Sequence, residues 1–165
     1  MTESQAQTYF EDVTTGQEIP KVALTATSQQ LVYWAAGSGD YYQIHYDKDF
    51  AQNTGLPERI THGALKHALL GRMLDEWTGP AGRVVRVKCD YRGMDMIDKD
   101  VTSRGVITGK RTENGRNLVD LEVWTEDPEG LAKWATHPHP WTALRDHLVE
   151  HVGRKDLPVF ECDAR

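Results

Sequence analysis

Apolar side chains return every four residues at Leu65, Leu69, Met73 and Trp77, and Ala64, Ala68 and Leu74 widen the stripe. That spacing predicts one long amphipathic helix with a buried face, ended by Thr78-Gly79-Pro80. The period then changes to two. Val85, Val87, Cys89 and Tyr91 alternate with Val84, Arg86, Lys88 and Asp90, as on a strand with one buried face. Further strands fit Val101–Arg111 and Leu118–Thr125, and the Asn114-Gly115 pair between them is a strong hairpin signal. Asp127-Pro128-Glu129-Gly130 makes a turn before a last strand near Leu131–Thr136. Beyond it, Trp141, Leu144, Leu148 and Val152 fall at helical spacing and predict a C-terminal amphipathic helix.

Upstream of the long helix the pattern is shorter-ranged. Residues 1–10 read as a loose tail, and Glu11–Thr15 as a turn leading to a strand near Lys21–Thr25. Thr27 stands three residues before Gln30, the spacing of a capping box, so a helix is expected from Ser28. Its apolar face would carry Leu31, Val32, Trp34, Ala35 and Ala36, and Gly37 and Gly39 would stop it. A loop follows over Asp40–His45. Asp47 then caps a short helix around Lys48–Asn53, closed by Gly55 and Pro57. Helices first, one long central helix, then an antiparallel meander: an α+β fold satisfies that order, with a curved antiparallel sheet wrapped around the central helix. One domain is expected over residues 1–165, with 137–165 as an extension. Such a sheet leaves edge strands, which commonly pair across a dimer.

Composition narrows the function. Hydrophobic residues make up 39% and charged residues 27%, ordinary values for a globular protein. The net charge of −6, without a long Lys/Arg run, argues against nucleic-acid binding. Met1–Gln7 is polar and lacks the regions of a signal peptide, and no apolar run approaches a membrane span. Cys89 and Cys162 lie far apart without metal-ligand spacing, so a cytoplasmic, disulfide-free protein is expected. His137-Pro138-His139-Pro140 reads as a proline-stiffened loop rather than a metal site, since no carboxylate or cysteine cluster accompanies it. Arg83, Arg86, Lys88 and Arg92 fit either a solvated strand face or a contact with coenzyme A phosphates.

Candidate chemistry gathers in the loop. Asp40 and His45 stand five residues apart in an irregular segment, and His62-Gly63 opens the central helix some fifteen residues later. A carboxylate and an imidazole can handle a water molecule, and backbone N–H groups at a helix start can hold a developing negative charge. In isolation, Asp40 could equally cap a turn and His45 fill a core position. His62 is expected to orient the helix start.

The flanking residues decide between these. Gly39-Asp40, Ile44-His45, Asp47, Ala51, Gly55, Ile60, His62-Gly63 and Leu65 stand where the (R)-specific enoyl-CoA hydratases and MaoC-like dehydratases carry their motif. Tyr91 through Gly109, with Asp100 at a turn, resembles the strand-turn-strand that follows in that family, and the resemblance covers roughly residues 10–136. It implies the hot-dog fold, usually dimeric, and reversible syn addition of water to a trans-2-enoyl thioester. Asp40 and His45 would then polarise the water, with either as acid or base, and Gly63 would offer its N–H to the thioester oxygen. A preorganised donor of that kind is worth roughly 3–4 kcal/mol in a transition state. Glycine would also let the thioester approach closely. The family's Asn-Pro is Tyr42-Gln43 here, its Met after His-Gly is Ala64, and a position often Ser is Gly71. With His62, these four are the expected substrate-binding positions, and the departures suggest a bulky or unusual acyl group. The thioester would bring its own CoA or carrier, and neither a metal nor a further cofactor is expected. The assembly would be a homodimer or higher oligomer, or a heteromer in which a related subunit completes the pocket. A hot-dog thioesterase is a third reading; it would have no need of His45.

Overall fold

The computed structural model describes residues 7–89, 91, 93–128, 148–151 and 160–163. The strands are β1 (Val22–Thr25), β2 (Asp100–Glu113), β3 (Arg116–Glu126), β4 (Leu148–His151) and β5 (Phe160–Asp163). They form one antiparallel sheet in the order β1-β2-β3-β4-β5. The helices are α1 (Ser28–Ser38), α2 (Lys48–Asn53) and α3 (Gly63–Thr78), with short 3-10 turns over Phe10–Asp12 and Gln43–His45. No helix of the described residues is long and apolar enough to cross a membrane.

Local signals placed most of these elements. Thr27 Oγ1 accepts the Gln30 N–H and the Gln30 side chain accepts the Thr27 N–H, the reciprocal bonds of a capping box. Gly39 ends α1 at a φ of 78°. Asp47 caps α2 by accepting the Phe50 N–H at 3.0 Å. Asn114 and Gly115 take φ values of 51° and 74°, the left-handed pair that a two-residue hairpin requires, and they set the Glu113↔Arg116 register of β2 and β3.

The central helix buries Leu69, Leu70, Met73, Leu74 and Trp77. Leu70, Met73, Leu74 and Trp77 pack on Val13, Ile19, Ile107, Val119, Leu121 and Val123, so the concave face of the sheet and α3 share one core. A smaller cluster of Ala26, Leu31 and Ile97, with Leu65 against it, lies near the start of α3. Ala64 and Ala68 are exposed instead of widening the stripe. Alanine stabilises a helix on any face, so it marks burial poorly. In α1 only Leu31 and Ala35 are buried, and Val32 and Ala36 face outward.

Three expectations change. Residues 7–10 are not a loose tail: Gln7 Nε2 donates to the Thr78 carbonyl at 2.8 Å, Thr8 Oγ1 donates to that of Trp77 at 2.5 Å, and Phe10 packs on the core. These contacts satisfy carbonyls at the C-terminal end of α3, which the helix itself leaves without partners. Around 84–91 the alternation holds only from Arg86 to Cys89, with Val87 and Cys89 on the core and Arg86 and Lys88 exposed. Val84, expected on the outer face, packs on the core, Tyr91, expected inside, is 51% exposed, and residues 85–89 form no ladder. Alternation reports which face is buried and does not supply a neighbouring strand. Leu148–His151, assigned above to a helix, is β4 and pairs with β3 at Leu121↔Val149. A four-residue spacing is also a multiple of two, so it fits one face of a strand as well as one face of a helix. The predicted strand at 131–136, His137, His139 and the rest of the predicted C-terminal helix lie outside the described residues.

Because Leu70 is fully buried between α3 and the sheet, Leu70→Ala is expected to cost about 2–5 kcal/mol. The half-exposed Val32 changed to Ala should cost well under 1 kcal/mol. Urea unfolding checks both, read as a shift in midpoint at constant slope.

Candidate active site

The loop after α1 folds back onto the start of α3 through local bonds. Ser38 Oγ donates to the Trp34 carbonyl at 2.7 Å and accepts the Asp40 N–H at 3.3 Å. Asp40 Oδ1 in turn accepts the Tyr42 N–H at 3.3 Å, the turn geometry that a short acidic side chain favours. The chain then makes its 3-10 turn and delivers His45, only 6% exposed, to the interior.

His45 is held by the backbone of Ile60. Its Nδ1 lies 2.7 Å from the Ile60 carbonyl oxygen, and the Ile60 N–H donates to the Ile44 carbonyl at 3.2 Å. A carbonyl only accepts, so Nδ1 carries the hydrogen and, while the ring is neutral, Nε2 has the free lone pair. That Nε2 faces Asp40 Oδ2 at 3.8 Å, with the Asp40 side chain 48% exposed. Two acceptors at that separation are too far apart for a direct hydrogen bond. They are suitably spaced to hold a water that donates to both.

His62 lies behind the pair with no exposed surface. Its ring stacks on that of His45, with centroids 3.7 Å apart and planes at 23°. Its Nε2 donates to the Asp40 backbone carbonyl at 3.2 Å, and its Nδ1 is buried without a hydrogen-bond partner. Burial, followed by the neighbouring charge of His45, lowers its pKa below the ordinary 6.5. His62 is therefore a neutral spacer that positions Asp40 and His45. The ring expected above at a substrate-binding position is fully buried. Asp40, His45 and His62 each bring a ligand-type atom within 4.8 Å of the others. A metal, however, must lie in the plane of each imidazole that binds it, and two stacked rings share no such point at bonding distance.

Gly63 is the first residue of α3, and its N-cap, His62, makes no side-chain cap. The first N–H groups of a helix have no partner within it, so this end can receive an oxyanion. A Cβ on Gly63 would stand 2.9 Å from Tyr91 Cδ1. The space that glycine leaves is thus filled by the Tyr91 ring, and the expected close approach of a thioester must come from another side. Burial, and then a hydrogen bond with Cys89, raises the Tyr91 hydroxyl to about 12, so it stays protonated.

A buried ion pair ties these parts together. Lys66, one turn into α3, donates to Asp95 Oδ2 at 2.5 Å and to the Gly93 carbonyl at 2.7 Å. Residues 95–97 pair with 59–61: the Asp95 carbonyl accepts the Thr61 N–H at 2.8 Å, the Arg59 carbonyl accepts that of Ile97 at 3.0 Å, and Met96 bridges Ile60. The helix bearing Gly63 is thereby linked to the carbonyl that orients His45.

The structure brings together Asp40, His45, His62 and Gly63. Tyr42 is exposed at the edge, its ring edge-on to those of His45 and Phe50. Gln43 is exposed and opens the 3-10 turn, its carbonyl accepting from Tyr46 and Asp47. Ala64 points outward, and Gly71 sits half-buried about 12 Å along α3. Sequence reasoning missed Ser38, the Ile60 carbonyl, Tyr91 over Gly63 and the Lys66–Asp95 pair. Only Ser38 left a signal, a hydroxyl two residues before a turn aspartate.

The model of the MaoC like domain family matches residues 11–127. The chain belongs to that family. It is 29% identical over 102 residues to an (R)-specific enoyl-CoA hydratase of Rhodospirillum rubrum, covering 61% of this chain and 70% of the relative. Over 96 residues it is 30% identical to the fatty acid synthase subunit beta of Saccharomyces cerevisiae, covering 57% of this chain and 5% of that much longer protein. Among solved structures, an unliganded R-hydratase from Pseudomonas aeruginosa superposes with a TM-score of 0.69 at 19% identity, over 92% of this chain and 88% of that one. The fold is accordingly the hot dog, with α3 as the helix inside the sheet.

Two measurements test this arrangement. His62 has a folded-state pKa below its unfolded value, so the unfolded chain binds more protons as pH falls through about 6.5. Its contribution to stability is therefore complete above that pH and drains away on acidification. Urea midpoints should fall between pH 7 and 5.5, and His62→Gln should flatten that dependence. Lys66→Met leaves Asp95 buried without its partner and should cost about 3–5 kcal/mol, while Lys66→Met with Asp95→Leu should recover most of the loss. Calorimetry of both variants reads the difference.

Proposed function

We propose that this MaoC-like protein is an (R)-specific enoyl-CoA hydratase, or the equivalent 3-hydroxyacyl-thioester dehydratase. The observation that carries the reading is the locked tautomer of His45. With Nδ1–H held by the Ile60 carbonyl, the lone pair on Nε2 and the carboxylate of Asp40 converge from 3.8 Å on a place for one water.

In the hydration direction the water oxygen adds to the β carbon of a trans-2-enoyl thioester as one of its O–H bonds breaks. The pair takes that proton and returns one to the α carbon from the same face, so Asp40 and His45 finish as they began. Negative charge passing through the thioester oxygen is met by the N–H of Gly63 at the positive end of α3. General acid–base help of this kind is worth typically 10²–10⁴-fold. The neutral His62 avoids a second positive charge beside His45. The substrate supplies its own CoA or carrier, and the chemistry asks for no metal or further cofactor. A cytoplasmic dimer remains our expectation for the assembly.

Purified protein mixed with crotonyl-CoA should remove the ultraviolet absorbance of the conjugated thioester. Asp40→Asn and His45→Ala should each lower kcat by 10²–10⁴-fold. Hydration unchanged in both variants sinks the proposal. Free thiol release without hydration would identify a thioesterase instead, and activity that appears only when a related subunit is added would make the chain a partner in a heteromer.

A further inference from the structure

The first turn of α3 carries the N–H that the proposed chemistry uses, and its own sequence does little to hold that group still. His62, the N-cap, makes no side-chain cap. Gly63 follows, the residue type with the most backbone freedom to lose, at a helix end, where fraying begins. An oxyanion donor must nevertheless be fixed before the reaction, since its value lies in preorganisation. Tyr91 supplies a contact from outside the helix. A Cβ on Gly63 would stand 2.9, 3.1 and 3.3 Å from its Cδ1, Cε1 and Cγ, so one edge of the ring rests on the glycine. The Tyr91 hydroxyl lies 3.5 Å from Nδ1 of His67, four residues after Gly63 and on the same face of α3. The ring therefore spans the first turn from Gly63 to His67. A hydrogen bond of that length is weak, so the contact that matters is made by the ring carbons.

We infer that Tyr91 is a positioning residue, a clamp on Gly63 that fixes the direction of its N–H. This deepens the hydratase reading and rests on it for the role of that N–H. It also gives a different reason for glycine at position 63: the missing Cβ makes room for the ring rather than for a thioester. The two residues are a matched pair, and changing either one releases the clamp. Tyr91 is 51% exposed, so its ring can swing outward. Gly63→Ala should therefore fold, with the ring displaced and the core intact.

A double-mutant cycle with crotonyl-CoA as substrate tests the pair. Losing an oxyanion donor altogether costs about 10²–10³-fold in kcat, so loosening one should cost about ten-fold or more. Tyr91→Ala, Gly63→Ala and the double variant should all lose about the same in kcat, with KM changed less than about three-fold. Tyr91→Phe should keep the wild-type kcat. Losses that multiply in the double variant, full activity in Tyr91→Ala, or a loss carried by KM alone overturn the proposal. The NMR order parameter of the Gly63 amide reads the clamp without turnover. It should fall from the rigid range, about 0.85, toward the flexible one, below about 0.6, in Tyr91→Ala and stay rigid in Tyr91→Phe. A Gly63 amide as rigid in Tyr91→Ala as in the wild type also overturns the proposal. A protein that fails to hydrate crotonyl-CoA but shows this loss of order would overturn the hydratase reading and leave the clamp standing.

Discussion

A buried imidazole is useful as a base only when one nitrogen is tied down, and the site of this protein depends on the bond that does so. The Ile60 carbonyl holds Nδ1–H of His45 at 2.7 Å, and the N–H of the same residue is spent on the Ile44 carbonyl. With both backbone groups of Ile60 committed, the neutral ring has one tautomer and one direction. Its Nε2 is left facing Asp40. Everything that fixes Ile60 therefore acts on the orientation of that ring.

What fixes Ile60 is long-range. Residues 59–61 pair with 95–97, and Asp95 is gripped by Lys66 from within the central helix. The ion pair is almost dry, with side chains 4% and 13% exposed. Such pairs add little net stability over an apolar substitute but are costly to break, which suits a contact that sets geometry. It couples the helix end where charge would be received to the loop where water would be held. His62 serves the same geometry from between them. It is kept neutral by burial, stacked on His45, and bonded to the backbone of Asp40 rather than to its carboxylate.

Much of this was legible in the chain. The capping box at Thr27, the Asp47 cap and the Asn114-Gly115 hairpin are local, since their partners lie within three or four residues. The Asp40–His45 and His62-Gly63 spacing was legible as a family pattern, and the four residues do meet. The failures share a cause. Alternation at 84–91 promised a ladder that residues 85–89 do not make, and a four-residue spacing at Leu148 suited a helix and a strand alike. In each case a one-dimensional period was asked to say which neighbour would be present.

By itself, then, the sequence determined the α+β order, the long central helix and its apolar stripe, the helix caps, the hairpin, and which residue types gather at the loop, because those depend on contacts between residues close in the chain. Only the tertiary structure decided that Nδ1 of His45 meets a carbonyl fifteen residues away, that the gap beside Gly63 is filled by Tyr91, that Lys66 is buried on Asp95 and that His62 is hidden rather than presented. Carbonyl oxygens are the same in every residue, and burial is a property of the packed chain. Neither leaves a mark in the order of the amino acids.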